Sequence, residues 1–564
     1  MQQANGRKRM APVAIVGGGP VGLCTALHFS RLQVPFVLFE EDEGLSTAPK
    51  AGTVTPRTLE IFALVGVIDD ILAAGLRFDV VDFVERRKDE VLMQMLMDEL
   101  DRDTSYPFVL NLPQSDTEHI LYEHLERANP GAVRFNHKVM ALEQDEDGCR
   151  LTVEGPDGTE TVEASYVVAC DGGKSPIRKI LGIEHKGKTY PEKFALIDIE
   201  ADLDSGEDRR PTYLSYVFDP DEWLIIVRQP KLWRVLWPIA ADAPEPAAQD
   251  EEVHRKLRLA VGDRPIKILS AISYKVHHRV AQKWRSGRTF LAGDAAHLIT
   301  PIGGLGLNTG IQDANNLPWK IAWVMTGRAD PELLDTYEKE RRPIAEFIAS
   351  GLADRNRTMM QMKNPLKRTA RDMVLKIMRH SRAHRWNTAY TRSLLSTSYK
   401  VRDAVQGSVK RALNALRPEI HPLVTTGDRA PDGLLFGPDG RRVRLQQLLG
   451  AAFVALTFDD VRNGPELMTM PQSPALRHYL ITHYDAPHDS GLRDRSFYDP
   501  GGSLTQRFGA DPGTMYLVRP DGHVARVEPP GGRRVEQLYE EYVGRSHLQD
   551  DVSGKAAVFY ASQS

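Results

Sequence analysis

Apolar and polar positions change their period several times along this 564-residue chain, and each change predicts a different element. The continuous apolar run VAIV at 13–16 predicts a buried strand, GGGPVG at 17–22 a turn, and Leu23 to Leu32 a helix with apolar residues at a 3.6 spacing. Val34 to Phe39 then predicts a second buried strand ending at Glu40. From about 187 to 284 the pattern becomes alternating, as in TYLSYVFDPDEWLIIVRQPKLWRVLWPI, which predicts antiparallel strands joined by polar turns. After 313 the period returns to helical and holds until the break RPEIHPLV. Beyond about 425, AAFVALTF and GTMYLVRPDGHVARV predict strands again, the second with a hairpin turn at PDG.

Length alone predicts two to four domains. No apolar run approaches the ~20 residues of a membrane-spanning helix, and the start carries no apolar signal core, so a cytoplasmic protein is expected. Cys24, Cys149 and Cys170 are widely spaced and odd in number, which predicts reduced thiols and no metal site. A net charge of -4 gives no reason to expect nucleic acid as a partner. The Lys and Arg residues gathered between 363 and 413 read as a solvated helical face.

The first strand, turn, helix and second strand form a β-α-β unit carrying G-x-G-x-x-G at Gly17, Gly19 and Gly22, with Pro20 inside it. An acidic residue, Glu40, follows 18 positions after the last glycine. The first glycine permits the tight turn, the second lets backbone N–H groups approach a pyrophosphate, and the third lets helix pack on strand; the acid can accept from ribose hydroxyls. These features together predict a bound dinucleotide.

Two further segments, YVVACDGGKSPIRKILGI at 166–183 and GRTFLAGDAAHLITPIGGLGLNTGIQDANNLPWK at 287–320, follow in order. With the β-α-β unit they resemble the FAD-dependent aromatic hydroxylases, single-component flavoprotein monooxygenases of the phenol hydroxylase and para-hydroxybenzoate hydroxylase type, over residues 11 to 350. The resemblance implies an α/β fold: a Rossmann-type FAD-binding domain (11–190 and 285–350), an inserted antiparallel β-sheet substrate domain (191–284), a helical segment (351–420) and a C-terminal thioredoxin-like domain (425–545). It implies that Gly17, Gly19, Pro20, Gly22 and Glu40 hold the ADP half of FAD, that Gln114 lies near the ribityl chain, and that Asp171 and Gly172 are the family's DG pair. Asp294 would contact the ribityl chain, and Pro301, Gly303, Gly304, Gly306, Leu307 and Asn308 would line the isoalloxazine. Lys50 stands where the family commonly has arginine, and Leu305 and Leu307 where it often has glutamine and methionine.

The resemblance implies that NADH or NADPH, bound transiently, reduces FAD, and that O2 then hydroxylates a small phenolic substrate through a flavin C4a-hydroperoxide. It also implies a homodimer. No second nucleotide fingerprint occurs after 191, and the nearest approach to the W-x-W-x-I-P element of flavin halogenases is WRVLWPI. Two alternatives stay open: an FAD-dependent oxidoreductase without oxygen insertion, and a non-catalytic flavin-binding redox sensor. The candidate catalytic residues are His277, Tyr274, Arg228 and Tyr216, with His278, Arg234 and Tyr213 nearby in sequence. The tail contains no cysteine, which excludes dithiol chemistry there.

Overall fold

The computed structural model describes residues 11–47, 52–203, 211–300, 302–348, 354–400, 424–458, 473–483 and 493–544. Val13–Val16 lies between Phe36–Phe39 and Tyr166–Ala169, parallel to both, with Val13 opposite Phe36 and Tyr166. Thr289–Leu291 and Val133–Arg134 extend this sheet on either side, and a short Arg285–Ser286 strand closes one edge. The central strand is buried throughout, because elements cover both faces of the sheet. The helix after the first strand runs from Pro20 to Arg31 and packs against a long helix, Leu305–Met325. A Cβ at Gly310 would come within 2.8 Å of Val21 and 3.2 Å of Gly293 Cα, so the two helices approach closely only because this position is bare.

The second sheet has eight strands in the order His297–Leu298, Lys267–Ala281, His185–Glu200, Trp233–Ala240, Leu224–Arg228, Leu214–Phe218, Val80–Glu85 and Glu90–Leu96. It is therefore wider than the expected 191–284 segment. It recruits a hairpin from residues 80–96, pairing Val80–Glu85 in parallel with Leu214–Phe218, and its longest strand begins at His185. Sequence alternation separates its faces. Ile197, Ile199, Trp233, Val235 and Trp237 pack with the helix Glu251–Val261. Phe83, Met95, Phe194, Leu196, Tyr216 and Phe218 form the opposite face and meet Ile302 of the glycine-rich loop, together with Leu375 and Ala389 from two helices, Pro365–His380 and Arg382–Arg392.

The C-terminal residues form a seven-stranded mixed sheet, with Phe453–Phe458 parallel to Leu476–Thr482 and antiparallel to Thr514–Val518. Thr514–Val518 and Val524–Glu528 make the hairpin read at PDG, and Gly522 takes φ +80° there. This sheet is joined to the first through a continuous core. Phe453 meets Trp319 and Trp323 edge-on at 5.4 and 5.8 Å, and the Trp323 indole donates to the Tyr539 hydroxyl at 2.9 Å. A buried polar network runs beside it: Arg519 and Lys320 both reach Glu340, at 2.7 and 2.8 Å, and Arg57 donates to the Asp521 carbonyl at 2.8 Å. Arg429 reaches Glu60 at 3.0 Å.

Among the described residues no helix is long and apolar enough to cross a membrane, and no cluster of three or more His, Cys, Asp or Glu is placed to hold a metal. Cys24 and Cys149 are buried, Cys170 is half-buried, and none is paired.

Candidate active site

Three stretches distant in sequence meet at one end of the parallel sheet. In the first, Gly17 takes φ +106°, and a Cβ there would lie 2.4 Å from the Cys170 carbonyl oxygen. A Cβ at Gly22 would lie 1.9 Å from the Gly17 oxygen, so this glycine is required by the packing of helix on turn. Gly19 differs. Nothing stands within 4 Å of a Cβ built on it, and as N-cap of the helix it offers no side-chain acceptor to the first N–H groups. The helix N-terminus therefore presents backbone donors and a positive dipole end to open space, which fits a pyrophosphate. Glu40 ends the second strand facing this loop, its carboxylate accepting from the Gly18 amide at 2.5 Å and the Asp42 amide at 3.0 Å.

The second stretch holds Asp171, which accepts from the Ile177 amide at 3.0 Å, and Gly172, at φ +76°. Burial pushes the Asp171 carboxyl above its ordinary range, against the Ser175 hydroxyl and the Ile177 amide. Gln114 is the first residue of the helix Gln114–Ala128 and donates to Glu118 at 2.8 Å.

In the third stretch, Gly293 to Ala295 forms one tight turn that leaves Asp294 exposed. Buried Asp313 holds the turn from below: one carboxylate oxygen accepts from the Gly293 amide at 3.1 Å and lies 2.7 Å from His297 Nε2. The other accepts from Arg341 at 2.8 Å. Burial alone would raise the Asp313 carboxyl, but His297 and Arg341 hold it below its ordinary value. His297 and Asp313 both stand in the motif GDAAH…IQDAN, yet sequence reasoning gave neither a role.

Gly303 and Gly304 follow at φ +104° and +65°, with Gly304 the N-cap of the long helix, so the loop delivers an uncapped helix start at Leu305. Asn308 is turned into the protein. It accepts from the Thr55 amide at 2.9 Å and the Thr58 hydroxyl at 2.7 Å, and donates to the Thr53 carbonyl at 2.8 Å, tying the long helix to the Thr53–Thr58 segment. Pro301 and Lys50 lie outside the described residues.

Between this loop and the eight-stranded sheet is a small, mainly apolar cleft lined by Gly303, Leu305, Thr55, Val81, Met95, Tyr216 and Arg392. Tyr216 is thus brought to the loop. Tyr274 and His277 do not line this cleft: they sit on Lys267–Ala281, four strands from Leu214–Phe218 in the sheet order and paired with His297–Leu298, which leads into the loop. Tyr274 stacks on Phe194 at 6.2 Å, and His277 Nδ1 lies 3.0 Å from the Thr189 hydroxyl. Tyr213 packs edge-on to Trp233 at 6.0 Å. Arg228 lies over Trp233 at 5.4 Å, on the sheet face away from the loop, and Arg234 forks onto Asp198 at 2.8 and 3.1 Å. His278 is half-buried opposite Lys188.

Arg392 belongs to the basic segment read as a solvated face. The structure corrects that reading: Arg371 of the same segment is buried against Asp372 and over the Phe218 ring at 4.8 Å, and Arg392 turns inward to the cleft. Among the described residues the exposed side of Pro365–His380 and Arg382 fit the expectation, the former carrying Leu366, Met373, Val374 and Ile377 among its cations; residues 401–413 of the segment lie outside the described residues.

The residues so arranged fit FAD: an open, uncapped helix start, an acid at the end of the second strand, an exposed aspartate on a braced turn and a bare-backbone loop. Comparison with known proteins agrees. The family described as FAD binding domain matches residues 10–350. A para-nitrophenol 4-monooxygenase of Pseudomonas sp. (strain WBC-3) is 32% identical over 375 residues, covering 64% of this chain and 91% of that protein. A tetracenomycin A2 monooxygenase-dioxygenase of Streptomyces glaucescens is 30% identical over 579 residues, covering 95% of this chain and 96% of the other. The flavin-dependent monooxygenase PieE, whose crystal structure contains FAD and substrate, superposes with a TM-score of 0.74 at 25% identity, over 96% of this chain and 100% of that one. The chain belongs to the FAD binding domain family and, within it, is an FAD-dependent aromatic monooxygenase.

Proposed function

We propose that the chain hydroxylates a phenolic aromatic ring, with NADH or NADPH as reductant and O2 as co-substrate. The observation that carries this reading is the cleft itself: apolar walls from Val81, Met95 and Leu305 directly against the Gly303–Leu305 backbone, with Tyr216 and Arg392 as its titratable or charged groups beside the hydroxyls of Thr53, Thr55 and Ser393. Bound FAD, reduced by the nicotinamide, supplies the oxygen activation, one atom of O2 entering the ring and the other leaving as water. The amides at the start of Pro20–Arg31 bind the pyrophosphate, and Glu40 exchanges its Gly18 contact for a ribose hydroxyl. Asp294 and Gln114 orient the ribityl chain, with Asp171 and Gly172 beside them, and the Gly303–Leu307 backbone supports the ring system. Lys50 and Pro301 belong to the same set by their sequence positions.

The apolar walls exclude water, so that activated oxygen is spent on the substrate. Burial pushes the Tyr216 hydroxyl above its ordinary pKa, with Arg392 opposing, so at neutral pH it is a hydrogen-bond donor to the substrate oxygen and no base. The C-terminal sheet reads as a thioredoxin-like unit without thiols: its parallel and antiparallel strands surround Phe453–Phe458, with a helix at Val535–Val543.

The test is NAD(P)H oxidation by the purified yellow protein against a panel of phenols, with the product analysed by mass after reaction under labelled O2. Stimulated oxidation with label in the ring is expected. Oxidation indifferent to every phenol, with all oxygen recovered as hydrogen peroxide, would sink the hydroxylase reading in favour of an oxidoreductase that inserts no oxygen.

A further inference from the structure

Arg392 is the last residue of the helix Arg382–Arg392 and lines the cleft with Tyr216, Gly303 and Leu305. Its guanidinium lies 4.9 Å from the Phe83 ring centre and 6.0 Å from that of Tyr216, and one N–H donates to the Asn356 side-chain oxygen at 2.8 Å. Among the described residues no carboxylate pairs with it, and the charged or titratable groups that act on it are Tyr216 and Arg355. Arg392 is half-buried; the two more deeply buried arginines near this sheet are closed by acids, Arg234 by Asp198 and Arg371 by Asp372. A cation partly withdrawn from water without an anion carries a desolvation cost, and a ligand that brings the anion relieves it. A neutral amide and two aromatic faces hold the guanidinium in place without satisfying its charge.

We propose that Arg392 is the anion anchor of the cleft and binds the substrate's ring oxygen as a phenolate. This rests on the phenolic reading above and deepens it. The proton lost by the phenol leaves to solvent on binding, since Tyr216 keeps its own and donates to the same oxygen. The ring is thereby held in its electron-rich form before oxygen arrives, and Arg392 selects acidic phenols over neutral aromatics.

The experiment uses the FAD-loaded, full-length protein without nicotinamide and 4-nitrophenol as probe, whose ionised form has its own absorption band. Titrations run at pH values on both sides of the probe's solution pKa. In the wild type, the bound probe is expected to be ionised at pH values where the free probe is not, its apparent pKa lowered by one unit or more, about tenfold in ionisation. Arg392→Met should bind the neutral phenol, with affinity falling as pH rises, while FAD content and melting temperature stay as in the wild type. Arg392→Lys should recover part of the shift. A wild type that binds the probe only in neutral form, or not at all, overturns the proposal, as does an unchanged bound spectrum in Arg392→Met. Should Arg392→Met fail to fold, the wild-type spectrum and Arg392→Lys still decide. Discrimination by Arg392 only among phenols bearing a carboxylate, with 4-nitrophenol bound neutral, also overturns it. A wild type that ionises the probe through Arg392 yet never inserts oxygen would leave the anchor standing and refute the hydroxylase reading instead.

Discussion

At the scale of single residues, the site separates side chains that face outward from those that hold them. Asp294 is exposed on its turn, and Asp313 beneath it is committed to His297, Arg341 and the Gly293 amide. Replacing Asp294 with Ala should therefore leave the fold intact and weaken FAD binding by roughly 1–3 kcal/mol, the loss of a hydrogen bond to a charged acceptor. Flavin retention on dialysis and the melting temperature of the flavin-free protein measure the two effects separately. Equal FAD affinity in the variant would remove Asp294 from the ribityl site.

Among elements, the β-α-β turn gives a sharper contrast, because two of its glycines are bare for different reasons. At Gly22 a methyl group would collide with the Gly17 oxygen, so Gly22→Ala must displace the helix and should lower both melting temperature and FAD content. At Gly19 a methyl group meets no protein atom, so Gly19→Ala should melt near the wild-type temperature and lose FAD alone. Parallel loss of stability in both variants would show that Gly19 serves packing and not a ligand. Gly304→Val, at φ +65° with its Cβ 3.2 Å from that of Thr53, should yield nearly colourless protein.

The whole molecule is tied together by charges buried between the C-terminal sheet and the two helices Leu305–Met325 and Asp335–Phe347. Burial alone would raise the Glu340 carboxyl, but Arg519 and Lys320 hold it at about 2. His523 is pushed by burial to about 4, against the pull of Asp521. Both shifts act in acid. A histidine with a depressed folded pKa contributes stability that is complete above its unfolded value near 6.5 and lost as pH falls toward 4; the carboxylate's share is complete above 4.5 and lost toward 2. Denaturant midpoints should thus fall from pH 6.5 downward, and a flat profile to pH 4 would contradict the burial of His523. Arg519→Met should cost about 3–5 kcal/mol at neutral pH, because Glu340 and Asp521 lose their shared cation. A chain cut near Leu423 keeps every residue assigned to FAD, but it exposes Trp319 and Trp323 and leaves Glu60 without Arg429. Its expected phenotype is flavin binding with markedly lower stability; a stable truncation unable to bind FAD would place the tail in the site.

The sequence by itself determined what depends on neighbours along the chain. The strand, turn and helix at 13–31, the acid at Glu40, the hairpin at PDG and the bare loop at 303–306 follow from local period and backbone freedom. Only the tertiary structure decided what depends on distant pairing. A hairpin from residues 80–96 widens the middle sheet, and strand order sets Tyr216 in the cleft while placing Tyr274 on a strand four away from it. Arg392, some ninety residues beyond the loop it faces, reads as one more cation in a basic helix until packing turns it inward. Period and propensity report the environment a residue needs, and they are silent on which distant partner supplies it.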